Sequence, residues 1–306
     1  MRILLLGADG QVGWQLRRSL AVVGDVIAPP ARSAGGVDLA QPDSLRAAIR
    51  DAQPGVIVNA AAYTAVDRAE DEPHLAHAVN ATACEIMADE ARSRDAWVVH
   101  YSSDYVYDGS GDQPWTEQAT PAPLGVYGAT KLAGDQALAS GCARHLILRT
   151  SWVFDTWGHN FLKTILRAAV QRPALTVVDD QWGAPTRAAL IADITAHAVL
   201  RLRHAPDAPS LAGTYHLAAQ GATTWHGYAR LIAAQAQACG LALQASPERI
   251  QPVPAASYPT RARRPANSRL DTAKLRRTFG IELPPWEDGV RAVVSELASA
   301  TGRLNP

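Results

Sequence analysis

Residues 3–6 form an unbroken apolar run that stops at Gly7, the first of three glycines, Gly7, Gly10 and Gly13, set at three-residue steps. Val12, Leu16 and Leu20 then recur at helical spacing. A strand, a glycine turn and a helix in that order constrain the chain strongly, because the backbone must turn sharply and side chains would block the close approach. The start of the helix presents unpaired N–H groups and the positive end of its dipole, which suits a pyrophosphate. The spacing differs from the G-x-G-x-x-G of the standard dinucleotide fingerprint. A tight turn without a ligand therefore explains the glycines about as well as a phosphate cradle, and their place at the first strand-to-helix turn favours the cradle.

Similar apolar runs follow at Val26–Ala28, Val56–Val58, Trp97–His100 and Leu146–Leu148, separated by Ala-rich stretches able to form helices. Strands buried on both faces read as continuous runs, so the first half is expected to be α/β, a Rossmann-like doubly wound parallel sheet. Residues 1–150 are assigned to this dinucleotide-binding domain. After Arg149 the rhythm loosens through Trp152–Gly158 and Asp179–Thr186. Leu190–Leu202 and Thr214–Leu217 read as a helix and a strand that return to the sheet, so 188–218 is expected to rejoin it. That leaves 151–187 and 219–306 as a smaller, partly discontinuous α/β substrate-binding domain, ending in helices at Thr272–Phe279 and Trp286–Ala300.

The 29 basic and 29 acidic residues cancel, so no global field gathers nucleic acid or an anionic membrane, and a small-molecule partner is expected. Cys84, Cys142 and Cys239 are widely spaced and odd in number, which argues against a disulfide framework and for a reducing, cytoplasmic setting. The apolar run after Met1 is too short for a signal peptide or a membrane span. The histidines His100, His145, His159, His197, His216 and His226 show no metal-ligand spacing, and no metal site is assigned.

Tyr127 and Lys131 are four apart in a segment, Tyr127–Leu138, that reads as a helix, so both emerge on one face. An ammonium beside a phenol favours phenolate, and the tyrosine then serves as proton donor or acceptor. An arbitrary Y-x-x-x-K pair is more often an ordinary helix surface. Here Lys131 is one of only three lysines in an Arg-rich chain, and the strand from Trp97 ends in Ser102 and Ser103 at the sheet edge where open α/β folds bind ligands.

The combination G-A-D-G-Q-V-G, N-A-A-A at Asn59–Ala62, Y-S-S-D-Y at Tyr101–Tyr105 and Y-G-A-T-K at Tyr127–Lys131 resembles extended short-chain dehydrogenase/reductases. Within them the chain is similar to the dTDP-4-dehydrorhamnose reductase family, through His145–Trp152, Gly183–Thr186, Thr223–His226 and Arg264–Leu270. The resemblance implies reduction of the C4 ketone of a nucleotide-linked sugar, dTDP-4-dehydro-L-rhamnose, by hydride from NADPH or NADH, the last step of dTDP-L-rhamnose synthesis. It makes Tyr127 the general acid and Lys131 the group that depresses its pKa and binds the nicotinamide ribose. Ser103 becomes the hydroxyl that polarises the carbonyl, at a position where the family often has Thr. Gly7, Gly10, Gln11, Val12 and Gly13 would hold the pyrophosphate, Asp38 and Leu39 the adenine, and Ala60, Ala61, Ala62, Tyr63 and Thr64 would line the cofactor. Thr64, Val66, Ser103, Asp104, Tyr127 and Trp152 would contact the sugar or its nucleotide, and Arg264 and Asn267 the nucleotide or diphosphate.

The chain departs from the family's patterns in two places. After the second strand it reads Pro29, Pro30, Ala31, Arg32, Ser33, with no carboxylate for ribose hydroxyls. NADPH is therefore expected to be preferred, with NADH possible and the 2′-phosphate on Arg32 and Ser33. Where family members bridge a dimer through magnesium, this chain has Gln15 and Ala189, with Glu296 alone acidic; magnesium is doubtful, and a monomer or weak homodimer is expected. Two other readings share the fold. A 4,6-dehydratase would carry a second carboxylate where Tyr105 follows Asp104, and a non-catalytic regulatory subunit commonly lacks the Tyr/Lys pair that is present here.

Overall fold

A computed structural model describes residues 1–204 and 208–302, with Arg32 and Thr301 described by backbone alone. Strands β1 (Arg2–Leu6), β2 (Asp25–Ile27), β3 (Val56–Asn59), β4 (Trp97–Ser103) and β5 (His145–Thr150) are joined by the strand Gly213–His216 in one parallel sheet. Its order is Gly213–His216, β5, β4, β3, β1, β2. The chain leaves β1 for β2 on one side and returns to β3 on the other, so the crevice at the carboxyl ends of β1 and β3 is the topological switch point.

The unbroken apolar runs are explained by cover on both faces. Ile3 and Leu5 point to one side, packing with Leu16 and Leu20 of helix α1 (Gln11–Ala21) and with Ile191 and Val199 of the helix Ala188–His204. Leu4 and Leu6 point to the other, against Leu45, Ile49 and Met87. All four β1 side chains are 0–1% exposed, and each such burial is worth about 2 kcal/mol.

A second core lies outside the sheet. Leu162, Ile165 and Ala169 of the helix Phe161–Gln171 pack with Tyr228, Ile232 and Val290 beside a two-stranded parallel ribbon, Leu175–Val178 with Ile250–Val253. The helix Ala273–Phe279 does not belong to this core, although 219–306 was expected there. Leu275 and Phe279 pack with the sheet core, next to Tyr215 of the sixth strand. Among the described residues no helix is long and apolar enough to cross a membrane.

Candidate active site

The glycines at the switch point differ in what they are for. Gly7 has φ +76°, and a Cβ there would lie 2.5 Å from the amide nitrogen of Ala61, so the turn after β1 rests directly on the end of β3. At Gly13 a Cβ would lie 2.0 Å from the Gly7 carbonyl, which only a bare Cα avoids. Gly10 has room for a Cβ but serves as N-cap of α1 without any side-chain cap, leaving the first amides of the helix uncovered by the protein's own groups. A turn stripped of side chains, with open helix amides beside Ala60 and Ala61, fits a dinucleotide pyrophosphate.

Along the same crevice, Asp38 accepts from the Ala40 amide at 3.0 Å while its own amide donates to Ser44, and Leu39 packs on the core. One Asp38 oxygen thus shapes the loop in which an adenine contact was expected. The turn Arg32–Ala34 follows β2 with Ser33 exposed, and the Arg32 side chain lies outside the described residues. Ala62 is half-buried, and the Tyr63 amide donates to Oδ1 of Asn80 at 2.8 Å. Thr64 is exposed, and Val66 opens the short helix Val66–Ala69.

The helix Val126–Gly141 carries Tyr127 in its first turn and Lys131 one turn later. Its N-cap, Gly125, has no side chain to offer, and Glu70 supplies the acceptor from elsewhere, taking the Val126 amide at 2.9 Å. Gly128 lets the helix lie on the Tyr105 carbonyl, which a Cβ would approach to 2.1 Å. The helix therefore enters close against the end of β4, and the Tyr127 phenol faces the Ser103 hydroxyl. Ser103 donates onward to Oδ1 of Asp104 at 3.0 Å and accepts from the Tyr105 amide at 3.2 Å. Ser103 thus spends its one proton on Asp104 and a lone pair on the Tyr105 amide. Ser102 points to the opposite face, towards Asp135.

Electrostatics at the phenol differ from the sequence expectation. Lys131 is 1% exposed and turns its Nζ inward, donating to the Tyr101 carbonyl at 2.7 Å and lying 3.0 Å from Nε2 of His100. It does not depress the Tyr127 pKa in this arrangement. Enclosure of the ring pushes the phenol up to about 12, against a smaller opposing effect of the Ser103 hydroxyl. Burial also pushes the Asp104 carboxyl up to about 6, with Ser268 and Ser103 opposing.

Trp152 has φ +49°, a left-handed conformation rare for a bulky side chain. Its indole stacks on Trp225 with centroids 3.6 Å apart and lies against Gly183, where a Cβ would come within 2.5 Å of the ring. Arg264 pairs with Asp67 at 2.6 Å, linking the second lobe to the helix that starts at Val66. Asn267, also expected at the nucleotide, is turned into the protein. It is 2% exposed, its amide donates to the carbonyls of Gln113 and Ser110, and its oxygen accepts from the amide and Nε of Arg269. Both donors and both lone pairs are used by the protein, so its side chain joins loops and does not face a ligand.

Beside the site runs a groove of about 980 Å³ lined by Phe161, Trp225 and Tyr258 and by Arg172, Arg261 and Arg264. Aromatic walls and guanidinium groups together suit a base and a phosphate. The sequence reading missed Trp225, Asp67, Glu70 and Asn80, whose partners lie 56 to 197 residues away or follow from a helix distortion at Ala78–Thr82. Only the segment Thr223–His226, matched to the family, included any of them.

Comparison with known proteins agrees with this geometry. The family described as RmlD substrate binding domain matches residues 1–299. A dTDP-4-dehydrorhamnose reductase of Salmonella typhimurium is 51% identical over 302 residues, covering 98% of this chain and 99% of that protein. One from Burkholderia thailandensis is 45% identical over 98% of this chain and 100% of its own length. Among solved structures, a Bacillus anthracis dTDP-4-dehydrorhamnose reductase in complex with NADP superposes with TM-score 0.86 at 30% identity, covering 96% of this chain and 99% of that one. A Thermus thermophilus UDP-glucose 4-epimerase complex with NAD, 20% identical at TM-score 0.79, shares the fold alone. At this identity and coverage the chain belongs to the dTDP-4-dehydrorhamnose reductase family.

Proposed function

We propose that the chain reduces the C4 ketone of dTDP-4-dehydro-L-rhamnose to dTDP-L-rhamnose with a nicotinamide cofactor, and that NADPH is preferred. The reading rests on one observation above the others: the Tyr127 phenol and the Ser103 hydroxyl face each other at the carboxyl edge of the sheet, beside the stripped Gly7–Gly13 turn. Bound with its pyrophosphate on that turn, the reduced cofactor supplies the hydride. The residues of the chain supply the proton and the orientation.

Tyr127 is suited to donate. With its pKa up at about 12 the phenol stays protonated throughout the working range, and it gives its proton to the oxygen as that oxygen becomes an alkoxide, a stronger base than phenolate. Ser103 turns its proton from Asp104 to the same oxygen, and the Tyr105 amide holds the Ser103 oxygen in place meanwhile. Lys131 keeps the lower wall polar and meets the ribose. Trp152 closes the sugar pocket with an apolar face, and Arg264 and its neighbours in the groove take the nucleotide diphosphate.

Supplying dTDP-4-dehydro-L-rhamnose with NADPH and following the loss of nicotinamide absorbance tests the reaction, and identification of the sugar tests the product. Catalysis without net cofactor oxidation would point instead to a dehydratase or epimerase. Comparing kcat/KM for NADPH and NADH tests the preference, and a clear advantage for NADH would reject it.

A further inference from the structure

The inward turn of Lys131 belongs to a longer chain of hydrogen bonds. On the far side of the His100 ring, Nδ1 lies 3.0 Å from Nδ2 of Asn59, and Oδ1 of Asn59 accepts from the Ala61 amide at 3.2 Å. Asn59 and Lys131 are 0–1% exposed and His100 1%. An amide N–H can only donate, so the Asn59 atom facing Ala61 is its oxygen and the one facing His100 is its NH2. Nδ1 of His100 is then an acceptor. Burial and the neighbouring Lys131 hold His100 well below its ordinary pKa, so the ring is neutral with a single proton. That proton sits on Nε2 and points at Nζ of Lys131.

An ammonium has three donors and no acceptor. Against an N–H donor at 3.0 Å it is repelled, whereas a free amine accepts the proton with its lone pair and still donates to the Tyr101 carbonyl. The groups that face Nζ agree with this. From the helix Ala83–Arg92 comes Cys84, whose thiol is pushed up to about 12 by burial and stays neutral. On its own helix, Asp135 favours the charged form, but Asp135 is itself tied to Arg149 at 3.0 Å, and the Tyr127 phenol is neutral. Burial outweighs the opposing effects of Cys84 and Asp135 and lowers the Lys131 pKa.

We propose that His100 is a positioning residue that keeps Lys131 as its free base in the cofactor-free protein, and that loading the dinucleotide draws a proton from solvent onto Nζ. The charged Nζ has no acceptor at His100, and it turns to the ribose hydroxyl oxygens while keeping the Tyr101 carbonyl. The proposal rests on the reading of Lys131 as the group that meets the ribose. It ties the charge of the lysine, through Asn59 and Ala61, to the wall along which the cofactor lies.

Calorimetric titration of NADPH into the full-length protein, in two buffers of different ionisation enthalpy, counts the protons taken up. At about pH 8 to 9.5 the 2′-phosphate is fully ionised and does not contribute. Wild type should take up as much as about one proton, with log affinity falling as pH rises at that slope, and Lys131→Met should take up none. In His100→Gln the amide oxygen can face Nζ and accept from an ammonium, so uptake should vanish while NADPH still binds. Asn59→Asp reaches the same end differently: a second carboxylate oxygen draws the ring proton to Nδ1 and frees Nε2 as acceptor, so one variant serves if the other does not fold. NADPH binding without proton uptake in wild type, or uptake undiminished in whichever variant folds, overturns the proposal. Absence of any NADPH or NADH binding is a separate result, which removes the reductase reading and this proposal with it.

Discussion

Tyr127 shows how burial and charge compete at a single group. Sequence spacing places an ammonium one turn away, which would draw the phenol pKa down, yet the lysine points into the protein and the enclosure of the ring pushes the phenol up to about 12. Tyr127→Phe removes the phenol proton beside Ser103; kcat should fall by about 10²–10⁴-fold in the absorbance assay, with NADPH binding unchanged in a fluorescence titration. Asp104 carries a different cost. Its pKa stands above the ordinary 3.8, at about 6, so the folded state binds more protons than the unfolded one across that window and stability falls as pH rises through it. The loss amounts to about 3 kcal/mol once both states are ionised. Asp104→Asn keeps an acceptor for Ser103 and removes the charge, so it should raise stability to urea by about 1–3 kcal/mol at pH 7.5 and by much less at pH 4. A variant equally stable to wild type at both values would show that the carboxylate is better solvated than its 2% exposure implies.

At the scale of elements, loops from distant parts of the chain hold the working side chains. The helix Val126–Gly141 is capped by Glu70, and its glycines at 128 and 134 allow contact with the carbonyls of Tyr105 and Asn80. Trp152 is held in a left-handed backbone conformation by the stack with Trp225 and the missing Cβ at Gly183. Such strain persists where the surroundings over-determine it, and it marks functional positions. Gly183→Ala should push the indole from its place, lowering kcat/KM for the sugar nucleotide by about tenfold or more, since displacement by about 1 Å can cost 10²-fold. NADPH affinity should stay as in wild type, because the Gly7–Gly13 turn is untouched; equal loss of cofactor binding would mean that the strand Trp182–Gly183 supports both sites.

Across the whole molecule, the two cores are joined beside the site. Trp157 donates to the Asp9 carbonyl at 2.9 Å and stacks on Trp14 with centroids 4.1 Å apart, so the second lobe clasps the glycine turn. Asp67 with Arg264 and Asp71 with Arg261 close the opposite side. Away from the cleft, Arg187 lies 2.7 Å from Glu296 and 3.5 Å from Asp155, near Ala189. A guanidinium thus already faces both carboxylates at a place where a bridging cation would need several oxygen anions. The size of the protein in solution should therefore be the same with magnesium and with chelator, measured by light scattering; a metal-dependent dimer would contradict it.

The apolar runs, the glycine steps and the four-residue spacing of Tyr127 and Lys131 by themselves determined the parallel sheet, the first strand-to-helix turn and one helix carrying both side chains, because these follow from periods of one or two turns of local chain. The N-A-A-A, Y-S-S-D-Y and Y-G-A-T-K segments carried the family for the same reason. Tertiary structure alone decided which way Lys131 points, that Asn267 spends its hydrogen bonds on loops, and that Leu275 and Phe279 belong to the sheet core. These outcomes depend on partners tens to hundreds of residues away, and on competition between burial and hydrogen bonding that no local spacing encodes.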